Sequence, residues 1–61
     1  MRLIGKIDGE GVEILTDGDK VIMRYWPFPK VVIAVEMIPD DADTLAQYLQ
    51  IATELVNNGQ G

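Results

Sequence analysis

Two short acidic stretches carry the residues of this sequence that could bind a metal ion. They are Asp8-Gly9-Glu10-Gly11 and Asp17-Gly18-Asp19, and carboxylate oxygens beside glycine turns are ligands that calcium loops use. Neither stretch fits the twelve-residue EF-hand pattern, which ends in glutamate. Aspartate and glycine are also the residues that tight turns require. We therefore interpret both stretches as hairpin turns with exposed acids and predict no metal site.

The side chains needed for catalysis are scarce. The sequence has no serine, cysteine or histidine, so nucleophilic catalysis lacks its usual nucleophile and base. The three threonines, Thr16, Thr44 and Thr53, fall at a strand end and on a helix. Ten acidic residues could act as acids or bases, but 61 residues leave little room for a deep pocket. We expect no enzymatic activity and no cofactor.

Aromatic residues concentrate in the stretch RYWPFPK, residues 24–30. Three of the four aromatic residues and two of the three prolines lie there. Such rings can stack on single-stranded nucleic acid, but those platforms have a basic groove, and only Arg24 and Lys30 flank these rings. Two interpretations stay open. The cluster from Tyr25 to Phe28 fills one end of the core, or Trp26 and Phe28 contact a partner protein, because aromatic residues beside arginine are enriched at binding hot spots.

Alternating hydrophobic patterns predict four β-strands joined by short connections. The strands are predicted over residues 2–8, 12–16, 20–26 and 31–37. Asp17-Gly18 between two apolar runs is a strong hairpin signal. Short connections make successive strands antiparallel neighbours, because parallel pairing needs a long crossover. The strand over 31–37 is the most apolar, so we expect it to lie centrally in the sheet or to be covered on both faces.

Alternation within the strands divides the predicted sheet into two faces. Tyr25 falls on the face that we assign to the helix, so it is expected in the core, whereas Trp26 falls on the far face. The far face would also carry Ile4, Ile22 and Val32. We expect these apolar side chains to contribute to self-association.

One amphipathic helix is predicted from Pro39-Asp40-Asp41 to about residue 57, with Asp40 or Asp41 as its N-cap and Asn58-Gly59 as its stop. The residues expected to pack on the sheet form one stripe: Ala42, Leu45, Leu49, Ala52 and Val56. Tyr48, Ile51 and Leu55 lie beside that stripe and widen the apolar arc to about 180°, more than one sheet face needs. We predict that these three side chains contact a partner.

Together these elements predict an α+β fold, in which a small antiparallel β-meander of three or four strands is followed by one C-terminal α-helix packed on the sheet. Residues 1–57 are expected to form a single domain, and residues 58–61 a flexible C-terminal tail. The three-stranded version arises if residues 2–8 and 12–26 form one long hairpin with a bulge near Leu15-Thr16.

The helix also carries a family resemblance. Its residues Ala42, Leu45, Ala46, Leu49 and Ala52 give the spacing A-x-x-L-A-x-x-L-x-x-A after an apolar strand and a Pro/Asp-rich start. This third of the chain resembles the C-terminal helix of many small uncharacterised strand-strand-helix proteins of actinomycetes and their phages. The resemblance implies a strand-rich domain closed by one helix and points to a phage origin. It implies no catalytic residue.

Composition narrows the classes of partner. A net charge of −5 disfavours binding to nucleic acid, because the phosphate backbone is also negatively charged. No stretch reaches the roughly 18 apolar residues of a membrane span, and the N-terminus is too polar for a signal peptide, so we expect a cytoplasmic protein, in the host cytoplasm if phage-encoded. A domain this small has a thin core, and without cysteine it has no disulfides, so we expect a homodimer or higher oligomer.

These observations predict a non-enzymatic protein-protein interaction or self-assembling module, with a host protein as a second class of partner. Two alternatives stay open. One is an acidic inhibitor that mimics nucleic acid and occupies the basic groove of a host DNA- or RNA-binding protein, and the other is a small single-strand nucleic-acid binder. One array of carboxylates would favour mimicry, whereas an exposed apolar patch would favour the interaction module.

Overall fold

A computed structural model describes residues 1–7 and 11–59 of the chain. Its elements are β1 (Arg2–Ile7), β2 (Val12–Asp17), β3 (Lys20–Phe28), β4 (Val31–Met37) and α1 (Pro39–Asn57). The strands form one antiparallel sheet in the order β1-β2-β3-β4. The predicted four-stranded meander with a C-terminal helix is confirmed. The acidic turn predicted at residues 8–11 has its first three residues outside the described ranges.

The two described hairpin turns are short. Asp17 pairs with Lys20, so Gly18 and Asp19 alone connect β2 to β3. Gly18 has a φ of 62°, a left-handed conformation that glycine adopts without steric cost. The next turn contains only Pro29 and Lys30, because β3 extends two residues beyond its predicted end.

A bulge in β1 changes which side chains share a face. Leu3 pairs with Leu15 but Gly5 pairs with Ile14, so Ile4 is an extra residue in β1. Alternation resumes beyond the bulge with the opposite phase. Simple alternation of the sequence predicts that residues 3, 5 and 7 share one face, and this prediction is wrong, because a one-residue slip moves every later side chain to the other face.

A second irregularity interrupts the pairing of β3 with β4. Tyr25 pairs with Ile33 and Phe28 pairs with Val31, so β3 uses one residue more than β4 over this interval. Pro27 lies within the bulge, where its missing N–H disrupts the ladder least. Because of this extra residue, Phe28 shares a face with Tyr25.

The pairing register divides the sheet into a helix-side face and a far face. The helix-side face has three rows across the strands, in which Arg2 is the one charged residue: Arg2-Thr16-Val21-Met37, Gly5-Ile14-Met23-Val35 and Ile7-Val12-Tyr25-Ile33. The far face has two mixed rows: Leu3-Leu15-Ile22-Glu36 and Lys6-Glu13-Arg24-Ala34. Helix α1 lies over the helix-side face, since it lines a cleft together with residues from the first two rows of that face.

The core is small and lies on the far face. Among the described residues, the buried hydrophobic side chains are Leu15, at 3% exposed, and Ile22, at 6%. They pair directly with each other in β2 and β3, the central strands, which have neighbours on both sides. Ile22 was expected to present an apolar surface to a partner. Its burial removes it from that role, because the chain itself already covers it.

Strand β4 lies at an edge of the sheet, and its residues from Val31 to Glu36 are exposed. The expectation that this strand is central or covered on both faces is wrong. In a meander each strand pairs with the strand next to it in sequence, so the last strand has only one neighbour. Its apolar side chains therefore stay exposed within the part of the chain that the structure describes.

Helix α1 begins differently from the prediction. Its N-cap is Ile38, which provides no capping side chain, and Pro39 occupies the first turn, where a missing N–H is tolerated. Asp40 and Asp41 lie inside the first turn, so neither is the N-cap. Their charges still face the positive end of the helix dipole.

The helix ends as predicted at Asn57. Asn58 is the C-cap and Gly59, with a φ of 75°, donates its N–H to the carbonyl oxygen of Val56 at 3.0 Å. A left-handed glycine that bonds back to the last turn is a common helix stop. The first two residues of the predicted tail therefore cap the helix, and residues 60–61 lie outside the described ranges.

Only the first half of α1 packs on the sheet. Ala42 and Leu45 are half-buried, whereas Leu49 is 59% exposed and Val56 is 67% exposed. The helix contacts the sheet chiefly at β3. The prediction that the whole stripe from Ala42 to Val56 packs on the sheet is wrong for its second half, since Leu49 is the last helix residue lining the cleft with strand residues.

Candidate interaction surface

The chain exposes more surface than a folded monomer of its size normally does, and many of the exposed side chains are apolar. Sixteen large hydrophobic side chains of the described residues are exposed. The accessible surface is 4998 Å², against roughly 4,000 Å² expected for a 6.8 kDa monomer. The radius of gyration is 13.2 Å, against about 10.5 Å for a compact domain of 61 residues. The molecule is thin and open.

One exposed patch is the helix flank, which we define as Tyr48, Ile51 and Leu55. Their side chains are 65%, 53% and 42% exposed. The spacings of three and four residues place them on one side of α1. The structure thus brings together these three predicted partner-binding residues and leaves them open to solvent.

The remaining apolar residues of the second helical half widen this patch. Leu49, Ala52 and Val56 line a shallow depression together with Thr53 and Asn57. All five are exposed, although Leu49 also lines the cleft between α1 and the sheet. A partner that lies along the second half of α1 would meet both this depression and the helix flank.

A cleft separates the first half of α1 from the sheet. It has a volume of about 310 Å³ and apolar lining residues throughout: Ile14, Val21, Met23, Met37, Ala42, Leu45, Ala46 and Leu49. Protein interiors normally pack without such gaps, so the helix is held loosely. The lining offers no polar side chain of the kind that orients a small-molecule ligand.

A second exposed patch is the open sheet end, which we define as Phe28, Val31 and Ile33. These side chains share the helix-side face but lie at the end of the sheet away from the start of α1. They are 67%, 45% and 40% exposed. Of these three residues, the sequence predicts a partner contact for Phe28 alone. The apolar composition of the strand from residue 31 to residue 37 is the signal that includes Val31 and Ile33, but the same composition is typical of a buried strand.

Trp26 lies on the far face of the sheet and contacts residues of its own chain. Its main-chain N–H donates to the carbonyl oxygen of Gly11 at 3.0 Å, and the guanidinium of Arg24 lies 5.8 Å from the ring centroid. Arg24 also pairs with Glu13 at 3.0 Å. Trp26 is half-buried. The structure therefore does not bring Trp26 and Phe28 together, because the bulge at Pro27 separates their directions.

The acids of two connections lie at the same end of the sheet. Val21 pairs with Met37, so Asp17 at the end of β2 and Asp19 in the β2–β3 turn lie near the start of α1, which has aspartates of its own. The N-terminal ammonium lies 4.0 Å from Asp17, and Lys20 lies 3.9 Å from Asp19. Both pairs are exposed and each contributes little to stability.

The described residues contain no group of three or more histidine, cysteine, aspartate or glutamate side chains placed to hold a metal ion. Within the same ranges, no helix has the length and apolar character needed to cross a bilayer. Comparisons with protein families, curated proteins and solved structures find no match for this chain. The helix flank and the open sheet end are thus the features from which a function can be argued.

Proposed function

We propose that this protein is a non-enzymatic protein-interaction module that associates with itself, as a homodimer or a higher oligomer. The observation that carries the proposal is the excess of exposed apolar surface on the helix flank and the open sheet end. Contiguous apolar patches on small soluble proteins mark interaction sites. The flank has the residue types and the spacing of an anchor that lies on a partner surface.

The amount of excess surface supports association. The chain exposes about 1,000 Å² more than a compact monomer of its mass would. A standard protein interface buries about 800 Å² on each partner. Burial of that area would therefore restore an ordinary ratio of surface to mass. At about 25 cal/mol per Å² of apolar surface, it would also supply stabilisation that the two-residue core lacks.

A second copy of the chain is the occupant that this surface favours. A domain with so small a core and no disulfides needs further burial of its apolar surface whenever it is folded. A second copy of the chain is present wherever the chain itself folds and can provide that burial. A host protein remains the second class of partner. It would bind the same apolar surface in place of the second copy.

Light scattering after size-exclusion chromatography, run over a range of protein concentrations, tests the proposal. We expect a dimer or larger species at micromolar concentration. Ile51→Glu should dissociate it, because association would desolvate a charge in an apolar contact. Gln50→Glu is the matched control, since Gln50 is exposed on the polar side of α1, about 100° around the helix from Ile51, and the change adds the same charge. A folded wild-type chain that remains monomeric at these concentrations would refute self-association.

The acids gathered at one end of the sheet favour a second candidate function, mimicry of a nucleic acid toward a basic host protein. Salt separates the two candidates. Association through apolar surfaces persists or strengthens in sulfate, whereas capture of a basic partner through carboxylates weakens as ionic strength rises. Binding to a basic protein that is lost at high salt, by a monomeric chain, would favour the mimic.

A further inference from the structure

We propose that two copies of the chain associate by antiparallel pairing of β4 with β4, centred on Ile33, which joins the two sheets into one of eight strands. This inference rests on the proposed self-association and adds the interface and its register. The partner is a second copy of this chain.

The outer side of β4 is open for such pairing. Among the described strands its one neighbour is β3, so the main-chain groups on its opposite side have no described strand to bond. The strand contains no proline or glycine, and its pairing with β3 is regular from Ile33 to Met37. A regular, apolar, exposed edge is a template for another strand.

The opposite edge of the sheet is protected. Strand β1 has the bulge at Ile4 and an adjacent glycine, Gly5. It also carries two basic side chains, Arg2 and Lys6. Bulges and charges are the devices by which natural edge strands resist pairing. The contrast between the two edges directs association to β4.

Charge selects the register. With the two-fold axis at Ile33, Val31 faces Val35 of the partner subunit, Val32 faces Ala34 of the partner subunit, and Lys30 faces Glu36 of the partner subunit. Neither Lys30 nor Glu36 forms an ion pair within the described part of the chain. Moving the axis to Ala34 would place Glu36 opposite Val32 of the partner subunit. Opposite charges in facing positions stabilise antiparallel pairs, so the Ile33-centred register is preferred.

The same register accounts for the open sheet end. Facing residues of paired strands lie on the same side of a sheet, so both helices lie on one face of the joined sheet. Because the pairing is antiparallel, the open sheet end of one subunit lies beside the end of the partner's β4, where the partner's helix begins. The apolar surface around Phe28 and Val31 therefore lies beside the end of β4 and the start of the helix of the partner subunit.

Cysteine cross-linking tests the register directly, because the chain has no cysteine of its own. Ile33→Cys should form a disulfide-linked dimer on mild oxidation, since directly opposite Cα atoms lie about 4.5 to 5.5 Å apart, within disulfide range. Val31→Cys should not, because two copies of residue 31 are offset by four residues, roughly 13 Å. A mixture of the Val31→Cys and Val35→Cys chains should cross-link again.

Charge reversal gives an independent test. K30E and E36K should each raise the dimer dissociation constant on the order of tenfold, because each creates two like-charge pairs across the interface. The double variant K30E/E36K should restore the wild-type value. The two single variants, when mixed, should form heterodimers in preference to homodimers.

The outcomes separate this inference from the proposed function. A wild-type dimer in which Ile33→Cys does not cross-link, or in which K30E/E36K remains as weak as the single variants, overturns the β4 pairing and leaves self-association standing. A folded wild-type monomer overturns both. Selective cross-linking at residue 33 together with rescue by the double variant supports the pairing.

Discussion

Three glycines of this chain differ in what their backbone requires. Gly11 and Gly18 have φ values of 66° and 62°, whereas the φ of Gly5 is not positive. A Cβ added at Gly11 would lie 3.5 Å from the Cβ of Trp26, which is an ordinary van der Waals contact, and one at Gly18 or Gly5 would meet nothing within 4 Å. Backbone conformation, and not space, therefore sets the effect of each alanine substitution.

We expect Gly11→Ala and Gly18→Ala to lower the free energy of unfolding by similar amounts, about 1 to 2 kcal/mol each, because left-handed alanine is strained. Gly5→Ala should be neutral or should stabilise by up to about 1 kcal/mol, since it restricts the unfolded chain without native strain. Urea denaturation measures all three. A much larger loss for Gly11→Ala than for Gly18→Ala would show that Trp26 limits the space there.

Trp26 and Phe28 are expected to separate stability from association. Trp26 contacts its own chain through Gly11 and Arg24, so Trp26→Ala should lower the free energy of unfolding by roughly 1 to 3 kcal/mol, less than a fully buried ring would. Phe28 is 67% exposed, so Phe28→Ala should weaken association instead. Unfolding is measured at a protein concentration at which light scattering shows a monomer, to remove the dimer contribution. The reverse pattern would return Trp26 to the interface, as its sequence context had predicted.

At the scale of the element, the first turn of α1 depends on charge and not on a side-chain cap. Asp40 and Asp41 follow the N-cap Ile38, so their carboxylates act on the helix dipole. Asparagine replaces aspartate well as a cap but carries no charge. The double substitution Asp40→Asn/Asp41→Asn should therefore lower the free energy of unfolding by about 1 kcal/mol at low salt.

Salt provides the control for this helix prediction. The loss should shrink at high ionic strength, where the dipole interaction of exposed charges is screened. Thermal unfolding in low and high salt measures it. No loss at low salt would mean that capping, and not charge, explains the aspartates.

At the scale of the whole molecule, folding and association are expected to be one process. The described chain buries two large hydrophobic side chains, and its helix buries none. If the chain associates as proposed, the interface supplies a large part of its apolar stabilisation. The melting temperature should therefore rise with protein concentration. Scanning calorimetry over a hundredfold range of concentration measures this dependence. A constant melting temperature would show that the thin fold is stable alone.

The sequence alone determined the local elements, and the assembly of those elements came only from the tertiary structure. Periods of two and 3.6 residues, the glycine at Gly18 and the stop at Asn58-Gly59 predict the strands, one turn and the helix end, because each depends on residues close in sequence. The helix flank followed from spacing within one helix. The faces of β1, the direction of Phe28 and the site of the core did not, because one-residue bulges reverse the alternation of a strand and arise from pairing with a neighbour. Likewise, an apolar strand has the same composition whether it lies at the centre of a sheet or at its edge, and only the tertiary structure places β4 at the edge.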